Sequence, residues 1–533
     1  MMFDSAPFSV DDSFQQVSGE EALGDGHDFS PAQSPGQSAL EPGSPPLHTY
    51  HTYHRYHIET QTTPDIVPLP PRFRVKVKKH RLIGMVLKEL FTFKGNLPVV
   101  MSRPCVYGVF SRPVGGLAPR EELCVGCLRC TVQYPDMVQI HPNPERQLLG
   151  DSFVKPEYVD TIQYEARTGR VPVRGAGYRG AFGGEGWDGL WTDMSEIVRP
   201  TRDGIHGREF ISTAVDIGSL PAFLRFDDRG EIVGPLPTIM MTQVPFLFDV
   251  PATASIHPAN AAGSRLVLRT QAGCKENAIQ SESLFQIFSE AARQIETLVE
   301  VPIPAVVQLS LQGSHIVPLI TPTTWNWLDR LSWSPCMIVL DGWDQEHYDA
   351  LRHRFPGSII CVRVPMDTDI LALVQQGVRV FHLTANYRGY VGDQFAIDLI
   401  RQAHQRLVDA GVREEVTLIG SGGLILAEHV PKAIICGLDA VALDVALAVA
   451  LQANFKGECV DRETAPLSFP RLDRAWGVQR LKNLAASWRD QLLEILGAMG
   501  LREVRRLRGE IGRCMFQKDL EREVFLQYPK SGS

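Results

Sequence analysis

From about residue 240, the 533-residue chain alternates short apolar runs with stretches of helical period. The runs fall at 244–249 (VPFLFD), 265–270 (RLVLRT), 304–311 (PAVVQLSL), 336–341 (CMIVLD), 358–364 (SIICVRV), 378–384 (VRVFHLT), 416–420 (VTLIG) and 438–443 (LDAVAL). Between most of them lie helical stretches at 278–298, 366–376, 392–411 and 427–435. Strands that alternate with helices run parallel, because each crossover helix returns the chain to the same end of the sheet. Eight such strands predict an α/β fold, a closed (β/α)8 TIM-type barrel over 240–460. Only about 15 residues separate the first two runs, so an open doubly wound sheet is the alternative.

The segments around the barrel differ in composition. Residues 1–71 hold 10 of the 37 prolines with little aliphatic content, and are expected to be a disordered head. Its His48, His51, His54 and His57 recur every third residue among tyrosines and read as a flexible polar tail rather than a metal site. Residues 1–54 carry eight acids and no Lys or Arg, so the whole net charge of −8 sits there. The balanced remainder gives no overall basic excess, and nucleic-acid binding is not expected. Arg72–Lys78 alternates basic and apolar residues as a solvated edge strand would, and a short helix is expected over 80–92. The region 151–239 is a linker expected to pack on the barrel. Within the C-terminal extension, 461–533, residues 475–500 predict an amphipathic helix. The arginines from Arg502 to Arg513 read as a solvated face. No uncharged run is long enough to span a bilayer and no secretory signal is evident, so a cytoplasmic location is expected.

Cys124-Val125-Gly126-Cys127-Leu128-Arg129-Cys130 bounds the chemistry of residues 72–150. Two-residue gaps let three thiolates converge on one iron–sulfur cube. Tyr134 stands where a ferredoxin run would place its fourth cysteine, with Pro135 retained, so another ligand is needed. Cys105 is the nearest candidate for a 4Fe–4S centre, and a three-iron cluster is the fallback. Zinc, which prefers two separated pairs of ligands, and three unliganded thiols are the competing readings. The six other cysteines lie singly and read as packing residues.

Gly420-Ser421-Gly422-Gly423 ends the seventh predicted strand, where barrels hold phosphates on backbone N–H groups. These four residues are candidates for binding the phosphate of FMN. Asp444, ending the eighth strand, would repel a phosphate, and is equally a helix N-cap.

Residues 192–218 (TDMSEIVRPTRDGIHGREFISTAVDIG), 416–444 (VTLIGSGGLILAEHVPKAIICGLDAVALD) and the tail at 476–516 resemble the FMN-binding glutamate synthase family, particularly its short archaeal-type members with a ferredoxin-like segment before the barrel. The resemblance implies an FMN and iron–sulfur oxidoreductase acting on CH–NH2 donors. Such an enzyme makes L-glutamate from 2-oxoglutarate and ammonia, with electrons from a donor protein or reductase subunit. It also implies a separate glutamine amidotransferase subunit as ammonia source, because no cysteine nucleophile follows Met1. The family's Asn-Thr-Gly-Glu-Gly-Gly run has no counterpart in Val250–Gly263, and its Gly-Gln-Gly-Ala-Lys-Pro-Gly lysine is missing at Leu311–His315. Gln312, Asp341, Arg363, His382 and Asn386 form the pool for substrate contacts, with Gln312, Arg363 and His382 as catalytic candidates. Arg363 suits a dicarboxylate, or else a structural ion pair. The other reading is an electron-relay subunit whose barrel serves as a scaffold.

Overall fold

The computed structural model describes residues 57–96, 99, 105, 107–110, 118–171, 184–192, 211–218, 225–226, 232–234, 238–250, 276–462, 465 and 467–527. Most of the 192–218 block, the run at 265–270, and His48, His51 and His54 lie outside the described residues.

Eight parallel strands close into a barrel. They are β1 (Phe246–Asp249), β2 (Val299–Pro302), β3 (Ile316–Ile320), β4 (Met337–Asp341), β5 (Ile359–Pro365), β6 (Val380–Thr384), β7 (Thr417–Ser421) and β8 (Ala440–Leu443). Burial on both faces explains the near-continuous apolar runs: all of Ala440–Leu443 and the following Val445–Ala450 helix are buried. The run 304–311 is not a strand. Its core, Ile303–Gln308, is a helix with Pro304 in the first turn, where a missing N–H is harmless. The true strands flank it. β2 is short and carries Glu300, and β3 has Pro318 at its centre, so neither looks like a buried strand in sequence.

Two helices, α1 (Pro156–Thr168) and α2 (Glu276–Gln294), pack against the long α3 (Arg474–Ala498). Trp488 of α3 is fully buried, edge-on to Phe246 with ring centroids 6.1 Å apart, and its indole N–H donates to Glu165 at 2.9 Å. Trp488→Ala is expected to cost about 3–5 kcal/mol, read as a lower urea midpoint.

The expected disorder of residues 1–71 does not extend to 57–71, which run along α3. Asn483 accepts the Gln61 N–H, Gln452 accepts those of Ile66 and Val67, and Asp65 pairs with Arg480 at 2.9 Å. Polar side chains, together with the buried Ile58 and with Leu69 packed on the core, order this strap.

Beneath the barrel, Arg505 pairs with Asp216 at 2.8 Å and Arg508 with Asp439 at 2.6 Å, so Arg508 is an anchor, whereas Arg502, Arg505 and Arg506 are exposed as a solvated face would be. Burial alone would raise the Asp439 carboxyl, but Arg413 and Arg508 outweigh it and hold the group below its usual range. That stabilisation is complete above the ordinary carboxylate pKa and is lost as pH falls through the lower folded one. Asp439→Asn is therefore expected to lower the melting temperature at neutral pH and to flatten its fall below about pH 4. No helix among the described residues is long and apolar enough to cross a membrane.

Candidate functional site

Two places concentrate chemistry. The first begins with an antiparallel pair, Phe73–Val77 against Val138–Pro142, which builds a small core with Val109, Phe110 and Met137. Cys124 and Cys130 are buried in that core. The backbone turns left-handed at Gly126 (φ +72°) and at Leu128 (φ +58°). A Cβ on Gly126 would lie 2.4 Å from the Phe73 ring, so the first turn requires glycine. This winding places Cys105, Cys124, Cys127 and Cys130 around one cavity, walled by apolar groups such as Val75 and Ile140. Tyr134, in the fourth-cysteine position, turns away to donate its hydroxyl to Glu89 at 3.3 Å.

Burial pushes the Cys124 and Cys130 thiols up, and neighbouring cysteines push them further. Such thiols stay protonated at neutral pH, and a cation binding there would displace their protons. Among the described residues, Asp249, Glu300 and His382 bring three ligand atoms within 4.8 Å of one another in the barrel. A single zinc with bonds near 2.3 Å would draw tetrahedral sulfurs to roughly 3.8 Å. Four thiols round one apolar-walled cavity supply the donor set that an iron–sulfur cluster takes.

The second place is the C-terminal mouth of the barrel. Register sets Asp341, Arg363 and His382 side by side on β4, β5 and β6, and Asp249 beside Glu300 on β1 and β2. In-register neighbours on parallel strands project the same way, so these five charged or polar side chains form one layer. Arg363 reaches Asp249 at 3.1 Å and Glu300 at 3.4 Å. His382 Nδ1 lies 2.6 Å from Glu300 Oε1, and its Nε2 lies 2.8 Å from Ser421 Oγ. From beyond the barrel, Arg462 donates to Asp249 at 2.6 Å, Ser421 at 2.6 Å, Asp444 at 2.8 Å and the Ala385 carbonyl at 3.0 Å. Asp444 also caps the next helix by accepting the Val445 N–H at 2.6 Å. Burial raises the Asp341 and Asp444 carboxyls, whereas Arg363 and Arg462 overcome burial to hold Asp249 low.

Four carboxyl groups thus face two guanidinium groups that are already engaged. A flavin phosphate would add about two negative charges to them. The glycine turn is closed as well. Gly422 has φ +116°, and a Cβ there would lie 2.7 Å from the Asn386 carbonyl oxygen and 2.9 Å from that of Ala385. Nearby, the Ile425 and Leu426 N–H groups donate to His429 Nδ1 at 3.0 and 3.3 Å. Gly420, Ser421, Gly422 and Gly423 thus lie beside a carboxylate-rich layer that would oppose a flavin phosphate. The glycines serve close approach of two loops, and Ser421 is held by His382 and Arg462. Gly422→Ala is expected to cost about 2–4 kcal/mol from strain and overlap, measured by denaturant unfolding.

Of the substrate pool, Asp341, Arg363 and His382 come together, but the ion-pair reading of Arg363 holds. Asn386 shapes its own loop, accepting the Arg388 and Tyr390 N–H groups at 3.0 and 2.9 Å. Gln312 precedes β3, at the opposite end of the barrel from the mouth, and is exposed. Its placement followed from taking 304–311 as a strand. Glu300, Asp249 and Arg462 were missed: Glu300 and Asp249 lie within or at the end of short strands, and nothing local marks Arg462.

Residues 388–501 match the family model described as the conserved region in glutamate synthase. The archaeal-type glutamate synthase (NADPH) of Dehalococcoides mccartyi is 23% identical, over 73% of this chain and 86% of its own. The archaeal glutamate synthase (NADPH) of Archaeoglobus fulgidus is 23% identical, over 80% and 93%. That of Methanocaldococcus jannaschii reaches 34% over 25% and 28%. Among solved structures, a flavocytochrome b2 with sulfite bound aligns with TM-score 0.38 and 10% identity, over 65% of this chain and 83% of that one. A soluble mutant of the membrane-associated (S)-mandelate dehydrogenase from Pseudomonas putida aligns with TM-score 0.37 and 10% identity, over 67% and 99%. By sequence, the chain is similar to archaeal-type glutamate synthases over most of its length, and its residues 388–501 match the conserved region of glutamate synthase.

Proposed function

We propose that this chain is a glutamate synthase-like electron-relay protein whose redox centre is an iron–sulfur cluster held by Cys105, Cys124, Cys127 and Cys130. The observation that carries the reading is the convergence of four thiols, from two separate segments, on one cavity. A bound cluster of this kind takes up and passes on single electrons. The protein's part is to supply four thiolates, to exclude water with the apolar walls around Val75 and Ile140, and to leave Cys127 exposed at the surface. Anaerobic reductive titration is expected to consume about one electron per chain with loss of visible absorbance. A colourless protein that takes up none would contradict the proposal.

For the barrel, kinship favours glutamate synthesis, the activity in the relatives' names, which from ammonia would be amination of 2-oxoglutarate. The mouth favours the other reading, an electron relay with the barrel as scaffold, because Arg363 is already bound by Asp249 and Glu300 and leaves no free guanidinium for a dicarboxylate. We adopt the relay. Reduced viologen, 2-oxoglutarate and ammonia are then expected to yield no glutamate with added FMN. Glutamate formation would restore the first reading.

A further inference from the structure

At the barrel mouth, one close contact is not explained by the ion pairs around it. Glu300 Oε1 and His382 Nδ1 lie 2.6 Å apart, yet among the described residues neither atom completes a hydrogen bond. Both side chains are fully buried. Unsatisfied polar atoms this deep are rare, and an oxygen and a nitrogen lone pair at that distance repel unless a cation answers both. The nearby guanidinium groups are engaged elsewhere. Arg363 donates to Asp249 Oδ2 and Glu300 Oε2, and Arg462 donates to the same Asp249 Oδ2.

Asp249 completes a set. It, Glu300 and His382 each bring one ligand atom within 4.8 Å of the others, from residues that are 4%, 1% and 0% exposed. They stand on β1, β2 and β6, whose backbones the closed barrel fixes. Two carboxylates and an imidazole are a donor set for a divalent first-row metal ion. The groups behind them are those that orient ligands. His382 Nε2 lies 2.8 Å from Ser421 Oγ, and donating its proton there leaves Nδ1 with a free lone pair, while the arginines hold the second oxygens of both carboxylates. The charge agrees. Four carboxyl groups of the mouth against two guanidinium groups leave two negative charges, which one divalent cation cancels. Solvent reaches the layer at Asp341, whose side chain is 45% exposed, so an ion has a way in.

We propose that Asp249, Glu300 and His382 bind one divalent first-row metal ion, which ties β1 and β2 to β6 across the barrel mouth. Neighbouring ligands on an octahedral ion with bonds near 2.1 Å sit roughly 3 Å apart, so binding moves Oε1 and Nδ1 by a few tenths of an ångström. The ion is structural: no bond of a substrate and no electron is involved. The site stands independently of the cysteine cavity, and its hard donors separate it from the soft thiols.

The test uses the full chain, cleared of loosely held metal with a chelator, and Mn2+ as the probe, followed by electron paramagnetic resonance of the free ion. About one Mn2+ per chain is expected to bind at roughly 100 μM metal. The bound ion should show electron spin echo modulation from an imidazole nitrogen and should raise the melting temperature. His382→Gln and Glu300→Gln are each expected to weaken binding about a hundredfold, and Ser421→Ala, which only orients the imidazole, about tenfold. Cys124→Ser should bind Mn2+ as the parent does, so failure of the cluster and failure of this site are separate results. A parent chain that takes up no Mn2+ at about 1 mM would overturn the proposal. Bound Mn2+ without nitrogen modulation would overturn it as well, and this is read on the parent even where a variant fails to fold. Modulation that survives in His382→Gln would assign the ion to histidines elsewhere in the chain, with the same consequence.

Discussion

Replacing Cys124 with serine is expected to reduce iron and acid-labile sulfide from about four each per chain to below about one, with loss of visible absorbance. Cys124 is one of the two buried members of the set, so no solvent-borne ligand can substitute for it easily. A hydroxyl is a far poorer soft ligand for iron than a thiolate. Cys105→Ser discriminates further. If Cys105 completes a four-iron centre, this variant should retain a three-iron cluster, visible in the oxidised protein by electron paramagnetic resonance. An unchanged cluster in that variant would remove Cys105 from the ligand set. Cluster binding must also displace protons from thiols whose pKa is raised by burial and by one another, so reconstitution is expected to slow as pH falls from about 8.5.

The second large effect concerns Arg462→Gln. Its guanidinium joins Asp249 and Asp444, both buried, and also holds Ser421. Removing one partner from a buried ionic group leaves carboxyls without compensation, a loss of about 3–5 kcal/mol. The deficit should depend on pH with a definite sign. Burial already raises the Asp444 carboxyl, and loss of Arg462 raises it further. The folded state then binds more protons than the unfolded one, so stability falls as pH rises through the usual carboxylate range. The gap between variant and parent should therefore narrow on going from pH 7 to pH 5. Arg462→Gln combined with Asp444→Asn should recover part of the loss. An equal deficit at both pH values would show that packing over the Tyr387 ring, 5.3 Å away, carries the effect.

The barrel was legible because its strands are buried on both faces, as in the run at 438–443. The two strands that escaped reading explain themselves: Glu300 interrupts one and Pro318 the other, and both are tolerated only because the closed sheet supplies their surroundings. The cysteine site was legible for a different reason. Its spacing is local, and the loop between Cys124 and Cys130 is nearly the whole of the ligand geometry. The barrel mouth was not. Its layer draws on Asp249, Glu300, Arg363, His382 and Arg462, scattered over some 210 residues, and only strand register brings them level. Gly420–Gly423 shows the limit of a local motif. Glycines in a strand-ending turn permit close approach, and the sequence does not say whether a phosphate or another loop does the approaching.

The four cysteines carry the proposed redox centre. The most direct measurement is iron, acid-labile sulfide, zinc and flavin content on protein purified without oxygen. About four iron and four sulfide per chain, with flavin near zero even after incubation with FMN, is the predicted result. Zinc without sulfide, or stoichiometric FMN in a chain free of iron, would contradict the account.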